Sequence, residues 1–440
     1  MPASTATPLP VLTLEPGQFY FSIDGIPSLV FSRNVAGYQQ AHYATFLDWA
    51  KEGGTRIVRI QLDSLGMGYT SKGEMDPNWA LQWGMVFDRA EQDGIYILPV
   101  FSGWFDWNAG QGYSTWNTNQ LNAGNGGPVK DPAELFQKGS PTQQLWLKWM
   151  KAVVQHWQGR RNIVGWEIFS EVNLASGAEE VAGIDFVNQA AAIIREVDAH
   201  KRPVTASIAD TGTWPNFYRA ADLDFINIHP YPPSAQLDRA ILSEVRKSLA
   251  AYQRPVLIGE SGLSAESPAK YPPNAEVGVR HAIWAAVVSG AMNGRGLYWE
   301  DSFAIYFAAD GMPWLTKYKK MELPAALFAS GVDFSGFKPL AAISSPGVWG
   351  GAIGNENTIL GWYRDAGSEP PDWPLKDSIS GETVVLEVPG ADADWQIDFY
   401  DTKSGTDVIG SDTFSVQGGK VTITLPDFTD DIAFKMHIVP

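Results

Sequence analysis

The sequence lacks cysteine altogether and is poor in positive charge. The absence of cysteine among its 440 residues excludes disulfide bonds, thiolate metal sites and a cysteine nucleophile. There are 32 Lys and Arg against 49 Asp and Glu, which gives a net charge of −17. Because this charge repels phosphates and anionic lipid headgroups, and no local basic patch offsets it, we expect neither a nucleic-acid partner nor a membrane partner.

Long apolar runs are also missing. The first ten residues, MPASTATPLP, have neither the charged start nor the apolar stretch of a secretory signal, and no later run is long enough to span a bilayer. We therefore expect a secreted or periplasmic protein whose signal lies outside this sequence, with a cytoplasmic location as the alternative. The 45% hydrophobic and 18% charged residues provide a packed core and argue against disorder.

Apolar strands alternate with amphipathic helices over the first 330 residues, which is the pattern of parallel strands joined by crossover helices. The strands are predicted near 29–34, 55–63, 94–102, 163–171, 203–209, 224–230, 255–261 and 296–300. Helices are predicted over 40–52, 78–92, 143–157, 180–199, 236–251 and 275–289. Eight such units without a Gly-rich phosphate turn after the first strand favour a (β/α)8 TIM barrel over an open doubly wound sheet.

The two ends of the chain follow a different pattern. In residues 11–32, apolar and polar residues alternate around a Pro-Gly and an Asp-Gly turn. This pattern predicts a β-hairpin that plugs the barrel floor. After about residue 330, short alternating segments predict a C-terminal β-sandwich. We thus expect a catalytic barrel over 1–330 and a sandwich over 331–440. Trp349, Trp362 and Trp373 in the sandwich could bind carbohydrate or form ordinary core.

The 18 tryptophans bring the aromatic content to 12%. Flat aromatic rings are surfaces on which sugar rings stack. Three tryptophans, Trp104, Trp107 and Trp116, lie in a long insertion after the third predicted strand, and such insertions are usually functional. We expect one or more of them to contact sugar, with packing of the loop's own core as the alternative.

Two glutamates end predicted strands at the face where TIM barrels place their active sites. Glu171 ends the fourth strand in GWEIFSEVN, and Glu260 ends the seventh in VLIGESG. Glycosidic bond hydrolysis needs one carboxylic acid to protonate the leaving oxygen and one carboxylate opposite the anomeric carbon. The pair therefore indicates a glycoside hydrolase, although each glutamate alone could be a solvated strand end.

Around these glutamates the sequence resembles clan A glycoside hydrolases, particularly family 5, whose mannanases and cellulases carry Trp-Glu-x-x-Asn-Glu at the end of strand four. Here the stretch runs from Trp166 to Glu171. The resemblance extends to Arg59 in IVRIQLD, to INIHPYP, to LIGESG and to Trp299 in GLYWE, so that it covers about residues 15 to 330 in the same strand order.

The resemblance implies roles for the matching residues. Glu171 would be the general acid/base and Glu260 the nucleophile of a retaining enzyme that needs no cofactor and no metal. Tyr231 would hydrogen-bond to Glu260, while His229 and Arg59 would hold the carboxylates in place and Trp299 would form the floor of the sugar subsite. Structural roles remain open for Arg59, as a partner of Glu167, and for His229 and Trp299 as core residues.

One position departs from the family pattern, because Ser170 stands where the clan has an Asn that contacts the sugar 2-hydroxyl. A shorter side chain there favours a substrate with different geometry at C2, such as a mannoside, or a bridge by water or Asn173. The predicted substrate is a β-linked mannan, β-glucan or exopolysaccharide. The alternatives are a non-catalytic carbohydrate-binding barrel, which the change to Ser170 would suit, and a barrel enzyme for phosphorylated metabolites, whose phosphate loop is not evident.

Overall fold

The computed structural model describes residues 9–35, 40–110, 114–263, 272, 274–295, 298, 318–390 and 392–439. The chain begins with a small antiparallel sheet whose strands are β1 (Leu12–Thr13), β2 (Ser22–Ile23) and β3 (Ile26–Pro27). Leu12 and Phe21 of this sheet are buried in one cluster with barrel residues such as Ile57, Leu98 and Phe225. The N-terminal segment therefore packs against the barrel, and in place of the predicted β-hairpin it forms a sheet of three short strands.

In the described part of the chain, eight parallel strands form the barrel wall. They are β4 (Val30–Val35), β5 (Ile57–Gln61), β6 (Tyr96–Gly103), β7 (Trp166–Ser170), β8 (Val204–Thr205), β9 (Ile226–Ile228), β10 (Val256–Ile258) and β11 (Asn293–Gly294). The hydrogen-bonded order is β11-β4-β5-β6-β7-β8, with β9 and β10 as a further parallel pair. A bridge from Ser207 to Asn227 joins β8 to β9. Met292 N donates to Val256 O over 2.8 Å and closes the wall between β10 and β11.

The predicted (β/α)8 barrel is thus confirmed, with one shift at its last strand. The sequence placed that strand over 296–300, whereas the ladder with β4 pairs Asn293 with Val30 and Gly294 with Phe31. Residues 296, 297, 299 and 300 lie outside the described residues. A two-residue strand is too short for its apolar pattern to be recognised in sequence.

Eight helices accompany the strands in the described part of the chain. They are α1 (Gln40–Glu52), α2 (Pro77–Gln92), α3 (Pro141–Trp157), α4 (Glu180–Val197), α5 (Phe217–Ala220), α6 (Leu237–Tyr252), α7 (Ala275–Val287) and α8 (Leu323–Ala329). Caps set the starts of two of them: the Asp76 carboxylate accepts from Asn78 N and the Ser140 hydroxyl accepts from Gln143 N, each followed by a proline at the first helical position. No described helix has the length and apolar character needed to cross a membrane.

The C-terminal part is a β-sandwich. Its strands are β12 (Lys338–Pro339), β13 (Ala342–Ser344), β14 (Val348–Gly354), β15 (Thr358–Asp365), β16 (Thr383–Glu387), β17 (Ala393–Asp401), β18 (Val408–Val416), β19 (Lys420–Thr424) and β20 (Asp431–Ile438). They form a six-stranded sheet, β12-β14-β15-β20-β17-β18, and a three-stranded sheet, β13-β16-β19. Trp395, Ile397 and Phe434 belong to the apolar core of the sandwich.

The sandwich packs on the barrel through the tryptophans that the sequence analysis singled out. Trp362 and Trp373 are buried within the barrel's own apolar cluster, and Trp349 packs against it. A Cβ added at Gly278 of α7 would lie 2.6 Å from the Trp373 ring, so the glycine allows this close contact. These three side chains therefore serve the contact between the two parts.

Candidate active site

The two glutamates meet at the carboxyl end of the barrel. Glu171 follows β7 directly, and Glu260 lies two residues beyond β10. Their side chains are 14% and 8% exposed, so both border an opening while remaining largely enclosed. One carboxylate oxygen of each, together with one His229 ring nitrogen, lies within 4.8 Å of the others. The fold thus brings together two glutamates that lie 89 positions apart in the sequence.

The backbone of Glu171 has a left-handed conformation, with φ 57° and ψ 54°. Such a conformation costs a non-glycine residue on the order of 1–3 kcal/mol and occurs preferentially at functional sites. Its N–H donates to the Ser207 hydroxyl over 3.0 Å, and that hydroxyl donates to Glu167 Oε1 over 3.1 Å. The unusual backbone is therefore held by a hydrogen-bond chain from the neighbouring strands.

Arg59 on β5 links the carboxylates of the site. Its Nε and Nη2 donate to the two oxygens of Glu167 over 2.6 and 2.7 Å, and its Nη1 donates to Glu260 Oε1 over 2.8 Å. The same guanidinium donates to Asn34 Oδ1 over 3.0 Å. Both roles considered for Arg59 are thus present, because it pairs with Glu167 and also contacts the candidate nucleophile.

Glu260 is held in its ionised form. Burial alone would raise its pKa, but the charges of His229 and Arg59 and the hydrogen bonds from Tyr231 and Arg59 outweigh burial and lower that pKa below its ordinary value. The Tyr231 hydroxyl donates to Glu260 Oε2 over 3.0 Å. A carboxylate with both oxygens accepting hydrogen bonds is suited to act as a nucleophile.

His229 lies between the two glutamates. Its Nδ1 is 2.8 Å from Glu171 Oε1 and 3.8 Å from Glu260 Oε2. Burial opposes protonation of the ring, but the negative charges of Glu260 and Glu171 raise the pKa of His229 above its ordinary value. The two carboxylates thus favour the protonated form of the imidazole that lies between them.

The same three side chains have the spacing of a possible cation site. The hydrogen bonds argue for a different use, because both oxygens of Glu260 accept from Arg59 or Tyr231 and Glu171 Oε1 faces His229 Nδ1. A metal ion would compete with these donors and with the positive charge of Arg59. The donor set fits an acid–nucleophile pair better than a metal centre.

Ser170, the departure from the family pattern, is the last residue of β7. It is 2% exposed, and its hydroxyl accepts from Arg59 Nη2 over 2.9 Å. Its own O–H can still donate to another acceptor. Asn173 was suggested as the residue that contacts the sugar 2-hydroxyl in place of Ser170. Its Oδ1 already accepts a hydrogen bond from Ala209 N over 2.8 Å.

The tryptophans of the insertion divide into two groups. Trp107 and Trp116 are 0% and 4% exposed and pack against each other with ring centroids 5.7 Å apart. Their burial favours the loop-core alternative, since a buried ring offers no face to a sugar. Trp104 is only partly buried. Trp299 lies outside the described residues.

Three residues that the sequence analysis passed over also serve the site. Asn34 and Ser207 hold Arg59, Glu167 and the Glu171 backbone, as described above. Tyr298 interacts electrostatically with both glutamates, and burial together with the charge of Glu260 raises its pKa well above the ordinary value. Asn34 and Ser207 lie in or just after barrel strands, so a search of every strand end for polar residues could have found them.

Comparisons with known proteins place this geometry in a structural context. No family model matches the sequence, and no curated protein matches it. Solved structures do match: one described as a glycoside hydrolase has a TM-score of 0.65 at 15% identity, covering 98% of this chain and 97% of its own. A glycoside hydrolase family 5 structure from Bacteroides vulgatus has a TM-score of 0.63 at 14% identity, covering 97% of this chain and 94% of its own.

A shorter match covers the barrel region. The endo-1,4-β-mannanase from Rhizomucor miehei has a TM-score of 0.51 at 14% identity, and the alignment covers 67% of this chain and 97% of that one. Identities this low show a shared fold. The chain therefore shares its barrel fold with these glycoside hydrolase structures.

Proposed function

We propose that this protein is a retaining β-glycoside hydrolase that cleaves a β-linked polysaccharide or oligosaccharide by double displacement. The observation that carries the proposal is the short separation of the two glutamates. One carboxylate oxygen of Glu171 lies within 4.8 Å of one carboxylate oxygen of Glu260. Retaining enzymes place their carboxyl groups about 5–5.5 Å apart, whereas inverting enzymes need about 6.5–9.5 Å to admit a water molecule.

The surroundings of the two carboxyl groups support a division of roles. Glu260, held ionised by Arg59, His229 and Tyr231, would attack the anomeric carbon and form a glycosyl-enzyme bond as the leaving oxygen departs. Glu171, more exposed and without a contact to Arg59 among its described hydrogen bonds, would give its proton to that oxygen. It would then take a proton from the water that hydrolyses the intermediate.

The fold neighbours and Ser170 bear on the substrate. Several neighbours are described as mannanases, including the Rhizomucor miehei enzyme. A serine at position 170 reaches less far than an asparagine, and its oxygen already accepts from Arg59. Both points favour a manno-configured sugar, whose axial 2-hydroxyl projects differently from that of a glucoside, over a β-glucan or another exopolysaccharide.

The mechanism is tested by the anomeric form of the first product. Purified protein would be screened on polysaccharides and aryl glycosides, and proton NMR would follow the first turnover on the best substrate. We expect the β-anomer to appear first and then to mutarotate. An initial α-anomer would reject the retaining mechanism, and no hydrolysis of any substrate, with saccharide binding retained, would favour the non-catalytic carbohydrate-binding barrel.

The sugar preference is tested at Ser170. We expect wild-type kcat/KM to be higher on manno- than on gluco-configured aryl glycosides with the same leaving group, and Ser170→Asn to shift the ratio toward gluco. Wild-type preference for gluco, with no gain from the asparagine, would remove position 170 from the specificity argument.

Trp104→Ala should raise KM on oligosaccharides, while Trp107→Ala should mainly lower the melting temperature because its ring is buried.

A further inference from the structure

One buried carboxylate close to the site, that of Glu167, takes no part in the hydrolytic steps proposed above. Glu167 is the second residue of β7 and lies on the same strand that leads to Glu171. Its side chain is 0% exposed, and that of its partner Arg59 is 2% exposed. A buried ion pair contributes little net stability compared with apolar residues of the same volume, so stability alone does not explain this pair.

The contact with Glu167 fixes the direction of the Arg59 guanidinium. Arg59 Nε and Nη2 donate to the two oxygens of Glu167 over 2.6 and 2.7 Å, which makes the pair bidentate. The remaining nitrogen, Nη1, donates to Glu260 Oε1 over 2.8 Å and to Asn34 Oδ1 over 3.0 Å. Because the guanidinium is planar and rigid, binding one of its edges to Glu167 also places the nitrogen that contacts Glu260.

A second connection leads from Glu167 to the backbone of Glu171. The Ser207 hydroxyl donates to Glu167 Oε1 over 3.1 Å, and the same hydroxyl oxygen accepts from Glu171 N over 3.0 Å. Glu171 is the residue with the left-handed backbone, at φ 57°. A non-glycine residue keeps such a conformation only where its surroundings hold it, and Ser207 is part of those surroundings.

The two connections meet at one atom. Glu167 Oε1 accepts both from Arg59 Nη2 and from the Ser207 hydroxyl. A continuous series of hydrogen bonds therefore joins the Glu260 carboxylate to the backbone of Glu171. The strands β7 and β10, which carry these two glutamates, are not hydrogen-bonded neighbours in the described sheets. The strand ladder thus does not join them directly, whereas the series through Glu167 does.

We propose that Glu167 is a positioning residue that sets the placement of Glu260 and Glu171 relative to each other. Through Arg59 it directs a hydrogen bond at the nucleophile, and through Ser207 it holds the backbone of the acid/base. Its negative charge also balances part of the effect of Arg59 on Glu260. The hydrogen bonds belong to the fold, whereas their effect on hydrolysis rests on the proposed function.

Two variants separate the connections. Glu167→Gln keeps the size of the side chain but removes its charge and one of its two acceptor oxygens, so it weakens the contact with Arg59. Ser207→Ala removes only the hydroxyl that leads to Glu171. The pH dependence of kcat/KM, measured on aryl glycosides that differ in leaving-group acidity, reports on both glutamates.

Glu322→Gln is the matched control, because Glu322 belongs to a second buried cluster of the same chemistry. Its Oε2 accepts from Arg33 Nε over 3.2 Å and from the Thr55 hydroxyl over 2.7 Å. This cluster joins β4 to the start of α8, where Glu322 is the residue before the helix. Glu322→Gln should therefore lower the melting temperature without changing how kcat/KM depends on pH or on the leaving group.

We expect Glu167→Gln to lower kcat/KM about ten- to a hundredfold, because it weakens hydrogen bonding between charged groups. Its acid limb should lie at lower pH than in the wild type, since Arg59 then acts on Glu260 without an opposing charge at position 167. The variant leaves unchanged the other groups that face Glu260, which are His229, Tyr231, Tyr298 and Glu171.

Ser207→Ala should leave the acid limb in place. Its kcat/KM should fall more steeply than that of the wild type as the leaving group becomes poorer, because the residue that protonates the leaving oxygen is displaced. Glu167→Gln should show both changes. Glu167→Gln with the wild-type acid limb and leaving-group dependence would overturn the proposal. If Glu167→Gln does not fold, Ser207→Ala decides, because a leaving-group dependence equal to that of the wild type would equally overturn it.

A measurement without substrate separates this proposal from the proposed function. Carbon-13 NMR of protein with labelled glutamate follows the titration of Glu260, whose signal is assigned with Glu260→Gln. The pKa of Glu260 should be lower in Glu167→Gln than in the wild type and unchanged in Ser207→Ala. If no substrate is hydrolysed, the proposed function fails. An equal pKa of Glu260 in wild type and Glu167→Gln would instead overturn the link between Glu167 and the nucleophile.

Discussion

Two clusters of histidine, arginine and carboxylate occur in the described part of this protein, and they shift the pKa of their histidines in opposite directions. The mouth cluster consists of Arg59, Glu167, Glu171, His229 and Glu260. In it, Arg59 contacts Glu167 and Glu260, and the negative charges of Glu260 and Glu171 raise the pKa of His229 against the effect of burial.

The interface cluster, between barrel and sandwich, consists of Arg280, His281, Arg364, Asp430 and Asp431. His281 Nε2 lies 2.9 Å from Asp430 Oδ1, a contact as close as that of His229. Burial and the charges of Arg364 and Arg280 nevertheless lower the pKa of His281 well below its ordinary value. Burial and the balance of charge around each ring, rather than its nearest carboxylate, set the direction in which the pKa of the histidine is shifted.

The clusters also differ in what their carboxylates are bound to. In the interface cluster, Asp431 accepts from the Trp362 indole over 3.0 Å and from the Thr402 hydroxyl over 2.7 Å, and Arg280 contacts Asp430. These acids are enclosed and engaged in hydrogen bonds. Glu171 in the mouth cluster keeps 14% of its side chain exposed. The interface cluster thus holds two parts of the protein together, whereas the mouth cluster remains open to a ligand.

The largest effect is expected when a glutamate of the mouth cluster is replaced. Glu171→Ala should lose about 100- to 10,000-fold in kcat on ordinary substrates but retain activity on aryl glycosides with good leaving groups, because only proton transfer is removed. Azide should restore part of its turnover. Glu260→Ala should lose more and should show neither response, since the atom that forms the glycosyl bond is gone. Steady-state kinetics with and without azide measure this, and equal responses would reject the assignment of roles.

The next largest effect is expected when the contact between barrel and sandwich is weakened and the mouth cluster is left unchanged. Arg364 is buried and donates to Asp238 Oδ2 over 2.6 Å and to Glu369 Oε1 over 2.9 Å. Arg364→Met should cost about 3–5 kcal/mol of unfolding free energy, because it leaves the buried Asp238 without its partner. Urea denaturation measures the loss.

The exposed ion pair of Lys138 with Asp185 is the control for this experiment. Lys138→Met should cost no more than about 1 kcal/mol, because water screens such pairs. Turnover of the folded Arg364→Met protein should stay near wild type. A large fall in kcat at a temperature where the variant is folded would mean that the two clusters are coupled.

A smaller effect sharpens the electrostatic account of Glu260. Tyr231→Phe removes a hydrogen bond to a charged group, which is worth about 1.5–3 kcal/mol, so kcat/KM should fall about ten- to a hundredfold. Because that bond helps to lower the pKa of Glu260, the acid limb of the pH profile should move to higher pH in the variant. An acid limb at the wild-type position would show that Glu260 is not the group titrating there.

The smallest effect concerns the neutral histidine. A histidine whose folded-state pKa is lowered stabilises the protein fully above its unfolded pKa of about 6.5, and this contribution is lost as pH falls toward the folded value. His281 has such a lowered pKa, so stability should fall below about pH 6.5 by up to ~1.4 kcal/mol per pH unit. His281→Gln, whose amide can still donate to Asp430, should show a shallower slope in calorimetry, and an unchanged slope would assign it to other groups.

The sequence by itself determined the barrel, the sandwich and the two glutamates. Helices such as α1 and α4 were predicted with their observed first residues because the apolar spacing of a helix is a local property. Glu171 and Glu260 were found because parallel strands all end at the same face of a barrel, so that position along each strand is enough to bring them together.

Only the tertiary structure decided what surrounds those residues. The burial of Trp107 and Trp116, the two-residue strand β11 and the lowered pKa of His281 all depend on segments far apart in the chain. The periodicity of a segment shows which residues face inward, but the charge and solvent access of a group depend on every element packed around it. For that reason the sequence indicated where the site lies, and the fold determined the burial and the electrostatic surroundings of its residues.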